Sequence, residues 1–255
     1  MIIRMPEATN LNEIKTKKPE FYLENFLPIP KSSITMISAP GGSGKSFLAI
    51  QIAMKVLIEK SDRKVLLWLS EDPSGITKYR AKEIARKILN LNQETVTKIF
   101  SNIFVTDEMP SHLTSKTFDL YKDFLKEYDV VVMDPLIAFF AGEENSNTQA
   151  RYFMNMINKI ARENMQSILI VHHSSKNKEV ENRARGASAF VDAVRLQYQL
   201  QNTEKDLFKK IKISKDNFGV KTFWGEERDI EVLPFRTEII REDVRLEDVR
   251  LEENF

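Results

Sequence analysis

Cysteine is absent from this 255-residue chain, and histidine occurs only three times. The first absence excludes disulfides, thiol catalysis and cysteine-based zinc sites, and it suits a cytoplasmic setting. The second leaves His112 as the sole imidazole besides the adjacent pair His172 and His173, so no zinc site is expected. A field of one charge sign is missing too. Lys and Arg number 38 and Asp and Glu 37, a formal net charge of +1. Any nucleic-acid contact must therefore come from a local cluster of cations. No apolar run approaches the ~18 residues of a membrane span. The first six residues, Met-Ile-Ile-Arg-Met-Pro, lack the apolar region of a signal peptide. No membrane partner is expected. A chain of 42% hydrophobic and 29% charged residues is of a size and composition to bury a real core, as one α/β domain rather than two.

Glycine is scarce as well, with eight residues, yet three of them fall in residues 39–46, Ala-Pro-Gly-Gly-Ser-Gly-Lys-Ser. A short apolar run at 34–37 before it reads as a strand. Residues 47–60 after it, apolar at Phe47, Leu48, Ile50, Ala53, Val56 and Leu57, read as an amphipathic helix. Strand, glycine loop, Lys-Ser and helix are the context of a phosphate-binding P-loop. Ala39 stands where the usual pattern has its first glycine. Pro40, Gly41, Gly42, Ser43 and Gly44 form the loop whose backbone N–H groups would cradle a di- or triphosphate, with the helix beginning near Phe47 adding its positive end. Lys45 is expected to reach the β- and γ-phosphates, and the Ser46 hydroxyl to ligate Mg²⁺. ATP and Mg²⁺ are the cofactors that this pattern implies.

The remaining chain divides into a proline-containing lead-in (1–31), a core (32–236) and a charged tail (237–255). In the lead-in, Phe21, Tyr22 and Phe26 are expected to pack on the core or on a neighbouring subunit. Residues 64–70 form an apolar strand that ends in Glu71-Asp72-Pro73, where a carboxylate at a strand's C-terminal end lies near the ligand crevice of an open parallel sheet. Helices are expected at 74–89, with Ile76, Tyr79, Ile84 and Ile88 inward, at 115–128 and at 150–165. Strands are expected at 101–106, 129–133 and 167–171. Four apolar residues and then Asp134 is the Walker B arrangement, a carboxylate that supports Mg²⁺. Residues 194–200 alternate as a half-buried strand, 208–214 form another, and 222–235 suggest a hairpin turning near Glu226 and Glu227. Parallel strands alternating with helices, then antiparallel strands, predict a mixed α/β sheet. The tail repeats Asp-Val-Arg-Leu-Glu at 243–247 and 248–252, a period that fits neither helix nor strand.

With these pieces in hand, the chain resembles the RecA-like cores of DnaB-type hexameric helicases, most closely the plasmid RepA-type replicative helicases. The matching pieces are the P-loop, Ser70-Glu71-Asp72-Pro73, Met133-Asp134-Pro135, Glu143-Glu144-Asn145, His172-His173-Ser174-Ser175-Lys176, Arg185-Gly186-Ala187-Ser188 and Ser214-Lys215-Asp216-Asn217-Phe218-Gly219. They run in the family's order over residues 20–235. The resemblance implies a RecA-like P-loop fold with a largely parallel, helix-flanked sheet and antiparallel C-terminal strands. It implies that Glu71 is the general base and His173 the γ-phosphate sensor. It makes Lys215 or Arg195 the cation that a neighbouring subunit contributes in trans, with Asn217 standing where many relatives carry a second basic residue. Loops 141–149 and 174–185 match two central-channel loops, and Lys176, Lys178, Arg183 and Arg185 of the second suit single-stranded DNA phosphates. Glu179 and Glu181 lie among them, and no aromatic is present there to stack on bases. The implied assembly is a homo-oligomeric ring, a hexamer, working as a DNA helicase with other replication proteins. The alternative is an oligomeric ATPase switch that couples nucleotide state to a protein partner without unwinding.

Overall fold

The computed structural model describes residues 8–173, 188–205 and 207–233. The described strands are β1 (Phe21–Tyr22), β2 (Ile29–Pro30), β3 (Ile34–Ala39), β4 (Val65–Leu69), β5 (Ile103–Thr106), β6 (Val130–Asp134), β7 (Ser167–His173), β8 (Leu196–Asn202), β9 (Phe208–Asp216) and β10 (Glu227–Glu231). The α-helices among these residues are α1 (Lys45–Glu59), α2 (Ser74–Lys87), α3 (Gln93–Phe100), α4 (Phe118–Leu125), α5 (Asn147–Glu163), α6 (Ser188–Ala193) and α7 (Lys221–Trp224). Eight strands form one sheet in the order β10-β9-β8-β3-β7-β6-β4-β5. From β8 through β5 every pairing is parallel, and β8–β9 and β9–β10 are antiparallel. This is the mixed, helix-flanked sheet that the pattern of elements predicts. No helix among the described residues is long and apolar enough to cross a membrane.

The apolar runs are continuous because both faces of the sheet are covered. Along β6, Val130 and Val132 join the core built on α1, while Val131 and Met133 join the core built on α5. Alternate side chains of one strand thus feed two cores. The lead-in is anchored in the first of these. Tyr22, Leu23, Leu27 and Ile29 are buried in it, and Phe21 and Phe26 pack against it. The three aromatics therefore pack on this chain's own core. The Tyr198 hydroxyl donates to the Pro28 carbonyl at 2.7 Å, and the Trp224 indole N–H donates to the Phe26 carbonyl at 2.9 Å.

Three local expectations are corrected and one helix is added. Ile76 and Tyr79 of α2 are exposed, and the buried residues are Thr77, Arg80, Ala81, Glu83, Ile84 and Ala85. The helix is rotated by about one position, because small residues let it lie close against α1 and because Arg80 finds an ionic partner in Asp72, in the turn after β4. The β8 strand is buried from Leu196 to Leu200 rather than half-buried. It lies between β3 and β9, and its polar Gln197 is satisfied by the Ser38 hydroxyl at 3.0 Å. The C-terminal hairpin is formed by β9 and β10, with α7 in the connection, rather than by two arms within 222–235. Residues 93–100, unassigned from the sequence, form α3, capped by the Asn92 side chain, which accepts from Thr95 N at 2.8 Å. The 237–255 tail lies outside the described residues.

Replacing Tyr198 by Phe removes a buried donor and orphans the Pro28 carbonyl. The expected cost is about 1–2 kcal/mol of unfolding free energy, read as a lower denaturant midpoint at unchanged slope. An unshifted midpoint would show that this bond does not hold the lead-in to the core.

Candidate nucleotide-binding site

Four neighbouring parallel strands end at the same edge of the sheet, and each delivers one part of the site. After β3 comes the glycine loop. Gly42 has φ +73° and Gly44 φ +90°, left-handed conformations that favour glycine. At Gly44 a Cβ would also lie 3.3 Å from Val232 Cγ1. The Ser43 hydroxyl closes the loop by donating to the Pro40 carbonyl at 2.7 Å. The helix α1 starts at Lys45, two residues earlier than its apolar pattern suggests, with no side-chain cap and no acid in its first turn. Its first amides thus lack both helical and side-chain partners and leave a positive end facing the cleft.

The Lys45 ammonium is buried. It donates to the carbonyls of Ala39 at 3.2 Å and Pro40 at 2.8 Å, and it lies 3.4 Å from His173 Nδ1. An ammonium has only donors, so this contact requires Nδ1 to accept and places any ring proton of His173 on Nε2. Burial pushes the Lys45 pKa down, while the negative charges of Asp134 and Glu71 oppose that shift. The Ser46 hydroxyl donates to Asp134 Oδ2 at 2.8 Å. Asp134 is 5% exposed, and burial raises its pKa to about 6 against the Ser46 hydrogen bond. His173 ends β7 beside Ala39. The preceding His172 is buried on the other face, its ring 5.5 Å from that of Phe190. Strand alternation therefore separates the two imidazoles.

Glu71 follows β4, lines the cleft and takes no hydrogen bond among the described residues. Asp72 beside it does not cap α2. Asp107, just after β5, accepts from Ser74 N at 2.6 Å and caps α2 from outside. Asp72 instead receives both arms of the Arg80 guanidinium, one at 3.1 Å. Arg80 also lies 5.0 Å above the Phe47 ring. Sequence reasoning missed Arg80 and Asp107 as members of this region. The only available signal was an acid eight residues before an arginine, which is unspecific. Lys45, Ser46, Glu71, Asp72, Arg80, Asp134 and His173 border one cleft of about 390 Å³, while Asp107 stands outside its lining.

The proposed trans cations lie elsewhere. Lys215 donates to the carbonyls of Val191 at 3.0 Å and Asp192 at 2.7 Å, at the end of α6. The Arg195 guanidinium lies 5.1 Å from the Phe218 ring. Neither lines the cleft. Lys176, Lys178, Arg183 and Arg185 lie outside the described residues. The 141–149 loop is shortened by α5, which begins at Asn147 after a Ser146 cap.

The residues fit a nucleotide and Mg²⁺. A serine hydroxyl hydrogen-bonded to a buried carboxylate is a hard oxygen pair. Among the described residues no cluster of three or more His, Asp or Glu could hold a metal by itself.

A family model described as an AAA domain matches residues 7–179, well over half of the chain. Among solved structures, the ATPase domain of G40P is similar at 14% identity and a TM-score of 0.56, covering 81% of this chain and 86% of that one. The RadB recombinase is similar at 17% identity and a TM-score of 0.54, covering 74% and 84%. These likenesses, with the sheet order above, establish the fold as that of a RecA-like P-loop ATPase.

The raised pKa of Asp134 has a consequence for stability. Between about pH 4 and 6 the folded state holds a proton that the unfolded chain releases, so stability falls as pH rises through that window. Above it the cost of the buried charge is complete. Asp134→Asn is expected to stabilise the nucleotide-free protein by on the order of 2 kcal/mol at pH 7.5, with the gain vanishing towards pH 4. Thermal melts across that range measure it, and an unchanged or lower Tm at pH 7.5 would contradict the assignment.

Proposed function

The chain belongs to the AAA domain family, and from that premise we propose that it is a Mg²⁺-dependent ATP hydrolase. In this reading it forms a homo-oligomeric ring of six and acts in the cytoplasm on single-stranded DNA, as a helicase or translocase in plasmid, phage or mobile-element replication. The observation that supports ATP hydrolysis best is the meeting at one cleft of Lys45 and Ser46 from the start of α1 after β3, Glu71 after β4, Asp134 at the end of β6 and His173 at the end of β7. Residues 39–47 wrap the phosphates, and the Lys45 ammonium leaves its carbonyl partners for the β- and γ-oxygens. Ser46 and Asp134 would hold Mg²⁺, which supplies neutralisation of phosphate charge. Glu71, unbonded and at the cleft, takes the proton of the attacking water. His173 donates from its ring to the γ-phosphate and registers its loss at the start of the 174–187 connection.

The ring supports the rest of the chemistry. Lys215 and Arg195 stand away from this chain's own cleft, so either one completes a site only across a subunit boundary. A head-to-tail ring of identical chains provides such a boundary at every site. By the resemblance, Lys176, Lys178, Arg183 and Arg185 would supply the charge that binds single-stranded DNA phosphates. The alternative, a switch that reports nucleotide state to a protein partner, draws on Glu179 and Glu181 and on the lack of an aromatic in that connection.

Steady-state ATP turnover with and without single-stranded DNA, with mass measured in parallel, separates these readings. Lys45→Ala is expected to abolish nucleotide binding or turnover. Glu71→Gln is expected to bind ATP and turn it over at least 100-fold more slowly. DNA is expected to stimulate the wild type, less so at high salt and not at all after joint Lys176→Ala and Arg183→Ala replacement. Turnover indifferent to DNA in both proteins favours the switch. A folded protein with no affinity for any purine triphosphate in magnesium overturns the whole reading.

A further inference from the structure

We propose that Arg80 is a positioning residue for hydrolysis: by clamping Asp72 it leaves Glu71 as the one unbonded acid that follows β4 at the cleft. This rests on the reading of Glu71 as the base. After β4 the chain presents two consecutive carboxylates, and both border the cleft. Only one of them is useful to an attacking water, because a base must keep a lone pair available. The other, if left unpaired, would compete for Lys45 or for any bound cation, and the turn would have two nearly equivalent ways to sit.

The structure breaks that equivalence. Arg80 is only 8% exposed, and its planar fork meets both oxygens of Asp72, a match that suits a guanidinium and not an ammonium. Such a pair in a partly buried place is less screened than one at the surface. Arg80 belongs to α2, whose first turn is fixed separately by Asp107 at Ser74 N. The helix is thus anchored at its first turn independently of the contact that its arginine makes with the turn. The same guanidinium lies over Phe47, the residue that follows Ser46 in the first turn of α1. One side chain therefore ties three parts together: the acid-bearing turn, α2 and the helix end that carries Lys45 and Ser46. Backbone hydrogen bonding fixes the turn from the remaining side, where Ser70 N donates to the Asp134 carbonyl at 3.1 Å. Glu71 is held between these anchors without a side-chain hydrogen bond among the described residues.

The test uses the full chain, with MgATP kinetics and thermal melts of Arg80→Gln, Arg80→Lys, Asp72→Asn and the Arg80→Gln/Asp72→Asn double variant. Arg80→Gln is expected to lower kcat at least tenfold with KM within about threefold. Arg80→Lys should recover little, because a single ammonium cannot reproduce the fork. Asp72→Asn should lower kcat to a similar extent, and the double variant should be no worse than the poorer single one, as for two residues acting as a unit. Should Arg80→Gln fail to fold, Asp72→Asn carries the test alone, since it changes one atom. The proposal is overturned by kcat within twofold of wild type in both single variants. It is equally overturned by a raised KM at unchanged kcat, which would make Arg80 a nucleotide ligand, or by additive losses. Glu71→Gln in the same assay keeps the two ideas apart. Normal turnover in that variant removes the base itself. Its loss, beside normal turnover in Arg80→Gln and Asp72→Asn, removes only the clamp.

Discussion

A buried carboxylate joined to the first turn of a helix governs the geometry of this protein. Asp134 ends β6, in the middle of the parallel part of the sheet, and accepts from Ser46 in α1 at 2.8 Å. An ionised acid at 5% exposure is costly. The cost is tolerated because a hydroxyl meets it, Lys45 stands near it, and a helix end adds positive potential. Every neighbouring strand is registered to this point. Asp134 pairs with Leu69 of β4, and β7 continues on the other side of β6 to His173 beside Ala39. A slip of one residue in any of these pairings would turn the functional side chain to the opposite face.

Charge near the cleft is arranged by local pairing rather than by a field. The chain is almost neutral overall, yet three acids and two cations border one cleft. Asp72 is neutralised by Arg80, Asp134 is hydrogen-bonded to Ser46, and Lys45 rests on main-chain carbonyls. Glu71 is the member without a hydrogen bond among the described residues. A cleft in which most charges are matched and one acid is not suits a proton acceptor, and this is the electrostatic ground for the proposed hydrolysis.

Much of this was legible in the sequence, and the parts that were not share a cause. Strands β3, β4, β6 and β7 stood out because burial on both faces demands unbroken apolar runs. The loop stood out because glycine is scarce elsewhere. Asp134 stood out because an acid directly after such a run has few structural reasons to be there. The phase of α2 did not, since Ile76 and Tyr79 look like core residues and Arg80 looks like surface. Only the packing of α2 on α1, and the acid waiting at position 72, reverses that order. Strand β8 misled for a similar reason. Its glutamines mimic a solvent face, while in the folded chain β3 and β9 enclose it and Ser38 satisfies Gln197.

The amino-acid sequence by itself determined the local chemistry: a backbone able to take left-handed turns at Gly42 and Gly44, a lysine and a hydroxyl at the helix start, and acids placed just after apolar strands. Those follow from short-range sterics and from residue type. The tertiary structure decided which acid is paired and which is left unbonded, which imidazole of the histidine pair meets Lys45, and which face of α2 is buried. These depend on residues far apart in the chain being brought within a few ångströms, and no spacing along the chain encodes that directly.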